Sequence, residues 1–286
     1  MTVFTLAGLQ LELTPHQDNF ELIRSEVLAL KKRFPNLGMV LLSELCTFGP
    51  APRFAEALPG PAEDRYAELA AEAELYLITG SLFERDRDRI YNTASAIDPQ
   101  GQVIARYRKI YPFLPYEEGV SSGEEFVLFD VPGAGRFGLS ICYDMWFPET
   151  TRALVWQGAE VILHPTLTNT VDRDVELAIT RASAASHQCY MVDINGAGRM
   201  AVGRSIVAGP GGEVIHQAGA QHEAIVVDID FDYLRRVRRT GWHHLGQPLK
   251  SFRDNAVQFP QYQGGRSEVL ESLGPLIKGS KVNWSD

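Results

Sequence analysis

Three residues of this chain have side chains suited to acyl transfer, and each stands where a strand can hold it still. Cys142 closes the apolar run 136–141, and Pro148 opens an amphipathic stretch shortly after it. Proline is tolerated there because its missing N–H would be unpaired in a helix's first turn anyway. Glu44 lies near the end of the apolar run 39–45. A carboxylate in that position must be paired, protonated or functional, because burying it alone is expensive. Lys109 ends Val103-Ile104-Ala105-Arg106-Tyr107-Arg108-Lys109. A thiol needs a base to take its proton, and a tetrahedral oxyanion needs a fixed positive partner; a carboxylate and an ammonium supply both. Each residue also has a plainer reading. A lone cysteine packs as a small apolar side chain, and a glutamate and a lysine form structural pairs or sit on a rim.

The elements that must carry these groups follow from periodicity. Residues 3–11 alternate like a strand, and 19–34 read as a helix with Leu22, Val27, Leu28 and Leu30 on its apolar positions. The run 39–45 has the pattern of a strand covered on both faces. An alanine-rich helix over 61–75, a strand over 76–83, and a hairpin of 89–97 with 102–109 about Asp98-Pro99-Gln100-Gly101 complete the first half. The second half repeats the plan: strands 125–131 and 136–141, helix 148–158, strand 160–164, helix 172–187 and strand 189–195. Strands 201–207, 213–216 and 222–228 close it. The expected fold is α/β, two mixed sheets packed face to face with helices outside. After Trp242 periodicity fades, and residues 241–286 read as an extended tail that packs on a neighbour.

Composition narrows the function classes. The chain has 286 residues, 45% of them hydrophobic, which allows a large core. A net charge of −9 argues against a nucleic-acid partner, and neither a polybasic run nor a spanning apolar run points to a membrane. The opening stretch lacks a positive n-region and is expected to be neither signal peptide nor anchor. Three widely spaced cysteines (Cys46, Cys142 and Cys189) form no disulfide or zinc pattern. They suit a reducing, cytoplasmic compartment.

With those residues in view, the chain resembles the nitrilase (carbon–nitrogen hydrolase) superfamily. The resemblance rests on Glu44 in Val40-Leu41-Leu42-Ser43-Glu44-Leu45, Lys109 in Tyr107-Arg108-Lys109-Ile110, and Cys142 in Ile141-Cys142-Tyr143-Asp144 with Phe147-Pro148-Glu149. Gly203-Arg204-Ser205-Ile206-Val207 before Gly211-Gly212 is similar to that family's late strand motif. The resemblance covers about residues 3–240 and implies a four-layer α-β-β-α sandwich, a Glu-Lys-Cys triad, no cofactor and no metal. It also implies a homodimer or higher even-numbered assembly, stabilised by C-terminal tails. Residues 1–240 are then the hydrolase domain. Tyr143-Asp144 after the cysteine looks like the amidase branch, whereas true nitrilases usually have Trp-Glu there. The stretch after Lys109 is similar to one that delivers a second, positioning glutamate. Counting from Lys109 selects Glu117, and counting back from Gly123 selects Glu118; Glu117 is taken.

The expected activity is therefore hydrolysis of a small amide or carbamoyl compound through an acyl-thioester. Glu44 would be the base, and Lys109 and the Tyr143 backbone N–H would hold the oxyanion. Tyr116, Trp146 and His164 are expected to line the substrate site. Met145 and Trp146 stand where carbamoylase relatives look as if they place arginines, so the substrate is expected to be neutral beside the scissile carbonyl. Arg173 and Arg181 are the exceptions to this reading; Arg173, expected to pair with Asp172 and Asp174, could reach an anionic tail farther out. The alternatives are a nitrile hydrolase of the same superfamily and a non-catalytic binding homologue. Gly196-Ala197-Gly198-Arg199-Met200-Ala201 matches a dinucleotide fingerprint but lacks the following helix. His243-His244 lacks the spacing of helical metal ligands. Asn92 receives no role.

Overall fold

The computed structural model describes residues 2–264 and 266–277, so residues 278–286 of the expected tail lie outside the described residues. Among the described residues, thirteen strands form two sheets. The first is built from β1 (Val3–Gln10), β2 (Met39–Leu42), β3 (Tyr76–Ile78), β4 (Leu82–Asp86), β5 (Arg89–Ile97), β6 (Val103–Arg108) and β13 (Glu223–Asp230). Their order is β13-β1-β2-β3-β5-β4, with β6 paired to β5. The second holds β7 (Leu128–Asp130), β8 (Arg136–Leu139), β9 (Val161–Thr166), β10 (Tyr190–Asn195), β11 (Ile206–Ala208) and β12 (Val214–Gln217), in the order β12-β11-β10-β9-β8-β7. Both sheets are mixed: β1, β2 and β3 run parallel, as do β8, β9 and β10, and their outer neighbours are antiparallel.

The alternation of side chains along each strand explains the layering. Leu6, Met39, Leu41 and Ile78 of the first sheet meet Phe137, Leu139, Val161, Leu163 and Val192 of the second in one central core. The intervening residues Ala7, Leu9, Val40 and Leu42 face outward against α1 (Phe20–Arg33) and α2 (Pro61–Ala73). On the far side, Ile162 and Met191 pack against α3 (Pro148–Trp156) and α4 (Arg173–His187). The result is the expected four-layer α-β-β-α sandwich of two mixed sheets with outer helices. After β13, α5 (Phe231–Thr240) ends at Gly241, whose φ of +83° suits glycine. Among the described residues, no helix is long and apolar enough to cross a membrane.

The structure departs from the sequence reading in three places. The strand expected over 76–83 is two strands, broken at Gly80 with φ +70°. A Cβ there would stand 1.9 Å from the Ser43 carbonyl oxygen, so only glycine lets this bend back the Ser43-Glu44 segment. The strand expected over 201–207 begins only at Ile206. Side chains replace the ladder before it: Gln10 accepts from the Ser205 backbone N–H, and Asn195 donates to the Gly203 carbonyl. Among the described residues of the tail the chain is not simply extended but forms the short helices α6 (Pro248–Asp254) and α7 (Glu268–Glu271).

Candidate active site

The parallel strands β2, β8 and β9 all point their carboxyl ends to one edge, and the Glu44 N–H bonds the Thr166 carbonyl across the two sheets at 3.2 Å. There Glu44 follows β2, Lys109 follows β6, and Cys142 begins a 3-10 turn, Cys142–Trp146, after β8. Glu44 and Lys109 are buried and Cys142 is partly buried. Lys109 Nζ donates to Glu44 Oε1 at 2.9 Å and to Glu117 Oε2 at 2.7 Å. The Cys142 thiol lies close enough to the Glu44 carboxylate, the Lys109 ammonium and the Thr166 hydroxyl for each to act on it electrostatically. Cys142 itself holds φ +48°, a left-handed conformation unusual for a residue with a side chain. Its turn leaves the Tyr143 N–H in the first helical positions, where no intrahelical acceptor exists.

The two neighbouring glutamates sit differently. Glu117 receives Lys109 and the Phe113 backbone N–H, whereas Glu118 is exposed to solvent. The close approach at Gly123, whose Cβ would lie 2.1 Å from the Arg108 carbonyl oxygen, lets its N–H bond Lys109's carbonyl and close the loop.

Electrostatics follows from one cation among several acids. Burial raises the Glu44 carboxyl; Lys109 opposes this and Glu117 adds to it, leaving a net rise. Burial would also raise Glu117, but Lys109 and the N–H donors from Phe113 and Asn92 outweigh it and hold the carboxyl low. Burial alone would depress Lys109, yet Glu44, Cys142 and Glu117 together keep it well above its ordinary value. The Cys142 thiol is pushed well up by burial and by Glu44, with Lys109 pulling the other way. Burial thus favours the neutral thiol and strengthens the hold of Glu44 on a proton, while its acidic neighbours keep Lys109 an ammonium.

Not every expected contact forms. Tyr116 is half exposed and stacks on Phe113 at 4.9 Å, and Phe113 also meets Tyr143 at 4.9 Å. Trp146 lies beside Tyr143 at 6.3 Å, so both expected aromatic residues belong to one cluster over the nucleophile turn. His164 is a correction: it has no exposed surface, and its Nδ1 shares a 2.6 Å hydrogen bond with the Ser140 hydroxyl. Burial, with Arg173 and Lys109 nearby, pushes His164 down to about 3, so it packs as a neutral ring beneath the site rather than lining it. Met145 is buried too. Arg173 does not pair with Asp172 and Asp174; it turns inward to Glu176 at 3.1 Å and Asp193 at 2.9 Å. A buried arginine held by two carboxylates cannot swing out to a substrate.

Asn92 is the residue the sequence reading passed over. Its amide donates to Glu44 Oε1 at 2.7 Å and to Glu117 Oε1 at 3.2 Å, joining the two carboxylates that Lys109 also joins. The available signal was an asparagine in the middle of the strand Arg89–Ile97, where it is buried along with its neighbours. A cavity of about 590 Å³ lined by Glu84, Asp86, Arg89, Arg106 and Arg108 lies elsewhere and touches none of Glu44, Lys109 or Cys142.

A thiol, a carboxylate and an ammonium gathered at the strand ends of an α-β-β-α sandwich have the parts of a nucleophilic hydrolase. A family model described as carbon-nitrogen hydrolase matches residues 6–239, and the chain belongs to that family. It is similar to omega-amidase NIT2 of Mus musculus, with 31% identity over 260 residues, 84% of this chain and 93% of the relative. Among solved structures it resembles Saccharomyces cerevisiae Nit3, a member of the nitrilase superfamily. The TM-score is 0.77 at 26% identity, covering 83% of this chain and 94% of that one. It also resembles an amidase from Nesterenkonia sp. AN1 solved with butyramide, with a TM-score of 0.74 at 26% identity over 82% of this chain and 94% of that one. In another form of that amidase, acrylamide has added to the active-site cysteine.

Proposed function

We propose that this protein hydrolyses small amides through an acyl-thioester on Cys142. The observation that carries the reading is the buried ion pair network in which Lys109 bridges Glu44 and Glu117 beside the Cys142 thiol. The relatives, an omega-amidase and an amidase that binds butyramide, support the amide as substrate class. Glu44 takes the thiol proton as sulfur attacks the amide carbonyl. Lys109 and the Tyr143 N–H meet the developing oxyanion. The proton now on Glu44 passes to the leaving ammonia or amine, and the C–N bond breaks. Glu44 then activates a water that cleaves the thioester, while Glu117 holds Lys109 and orients the amide or the water. A carboxyl raised by burial suits a group that must accept and return a proton in each half-reaction.

The substrate we propose is neutral beside the scissile carbonyl. Trp146 and the aromatic cluster of Tyr143, Phe113 and Tyr116 offer apolar surface, and Arg173 is held inward by its own carboxylates. An unpaired carboxylate placed there would lose its hydration without a partner. The test is ammonia release from a matched pair, a simple primary amide and the same amide bearing an α-carboxylate. The neutral compound should have a kcat/KM higher by about tenfold or more, one unmatched interaction of about 1.4 kcal/mol being worth that much. A higher value for the carboxylated compound would remove the neutral-substrate assignment.

We further propose the division into a hydrolase domain, residues 1–240, and a tail, residues 241–286, that covers a second copy in an even-numbered assembly. Leu245, Val257, Val269, Leu270 and Leu273 of the tail are each at least 60% exposed, and Trp156 of α3 is 69% exposed. Apolar surface this extensive fits a protein–protein contact. Sedimentation should give a dimer or larger even-numbered species, and removing residues 245–286 should shift it toward smaller species. A monomeric full chain would contradict the proposal. A cytoplasmic, reducing setting would keep Cys142 as the thiol that the chemistry requires.

A further inference from the structure

Three donors meet on the carboxylate of Asp144, which is wholly buried. The Tyr107 hydroxyl donates to Oδ2 at 2.6 Å, the Ile141 backbone N–H to the same oxygen at 2.8 Å, and the Tyr111 backbone N–H to Oδ1 at 2.8 Å. Tyr107 and Tyr111 flank Lys109, two residues away on either side, and Ile141 directly precedes Cys142. One side chain therefore grips the lysine segment on both sides and the nucleophile turn at its start. It does so from inside that turn, where its bond to Ile141 N–H closes the first residues of the Cys142–Trp146 element.

We infer that Asp144 is a positioning residue of the active site, its carboxylate setting the distance between the Lys109 ammonium and the Cys142 thiol. The inference rests on the roles proposed above for those two groups. The two segments come from different sheets, Lys109 after β6 and Cys142 after β8. Nothing in their own strand ladders fixes one against the other. A carboxylate is an acceptor at both oxygens, and all three neighbours are donors. Charge-assisted bonds to an ionised oxygen are stronger than neutral ones. Burial pushes the Asp144 carboxyl up to about 6, while Tyr107, the two N–H groups and Lys109 work against that rise. The group is thus ionised at neutral pH because its neighbours support it.

The arrangement makes the amide analogue informative. In Asp144→Asn, the new NH2 group faces the Ile141 N–H if it takes the Oδ2 position and the Tyr111 N–H if it takes the Oδ1 position. Either way a donor meets a donor, and one of the two segments is released. A displacement near 1 Å can cost roughly 10²-fold in rate. We expect kcat to fall by that order with KM little changed, and iodoacetamide alkylation of Cys142 to slow in parallel. Alkylation needs no substrate, so it reads the geometry even if the amidase reading fails. Tyr107→Phe removes one donor and keeps the ring, and should lower both rates by about tenfold. A folded Asp144→Asn protein with wild-type kcat and wild-type alkylation overturns the inference. So does a variant that loses thermal stability alone. Should Asp144→Asn fail to fold, unchanged kcat and alkylation in Tyr107→Phe overturns it instead.

Discussion

Cys142→Ala should release no measurable ammonia from an amide that the wild-type protein turns over, while its circular dichroism and urea midpoint stay close to wild type. Removing the nucleophile of a hydrolase costs on the order of 10⁶ in kcat in a well-studied case. The fold should tolerate the change because the side chain is small and sits on a turn at the edge of the core, packed against it rather than within it. Cys46→Ala and Cys189→Ala are the controls. Both thiols are buried in outer clusters, whereas Cys142 packs against the central one beside Glu44 and Lys109, so neither is placed to compete as nucleophile. Both variants should keep most activity. Turnover by Cys142→Ala would end the proposed mechanism.

Lys109→Met should be nearly as damaging, through two routes that can be separated. Loss of an oxyanion donor costs about 10²–10³ in rate in known cases. The second route is electrostatic: Glu44 and Glu117 share this ammonium, and without it two buried carboxylates face each other. Breaking a buried ion pair by removing one partner costs about 3–5 kcal/mol. Both carboxyls would then lie above their unfolded values, since burial raises each and the opposing cation is gone. A group raised in the folded state contributes stability at low pH and loses it as pH rises through the folded value. The variant's stability deficit should therefore grow from acid toward neutral pH. In the wild type Glu117 runs the other way, because Lys109 holds it low. Lys109→Arg should also fail to restore rate, since a planar fork does not replace a compact ammonium between two oxygens. Urea midpoints at several pH values, with kcat at each, would check both routes. A Lys109→Met protein with near wild-type kcat would remove the oxyanion role.

The parts of this site that could be read from the chain are those where a polar residue interrupts an apolar run. Glu44 and Cys142 do so and Lys109 ends a strand run, and the alternation of residues such as Met39-Val40-Leu41-Leu42 sends one face to the central core and the other to the helices. Partnerships made across the sequence were not legible. Asn92 meets Glu44 from 48 residues away and Glu117 from 25, and nothing local marks either contact. Arg173 has acids on both sides in sequence, yet it pairs with Asp193 on β10, because its side chain leaves the helix toward the sheet. His164 failed for a related reason. Position after a nucleophile or at a strand's end fixes distance along the chain, not which way a side chain points. The break at Gly80 was hidden because a glycine in an apolar run is equally compatible with a strand that continues.

The most direct measurement is peptide mapping by mass spectrometry of protein quenched during steady-state turnover of butyramide. A butyryl group should be found on the peptide containing Cys142, absent from the peptides of Cys46 and Cys189, and it should disappear when hydroxylamine is added as butyryl hydroxamate forms. Rapid turnover with no acyl group on Cys142, and no hydroxamate under the same conditions, would contradict the acyl-thioester and with it the role of the thiol.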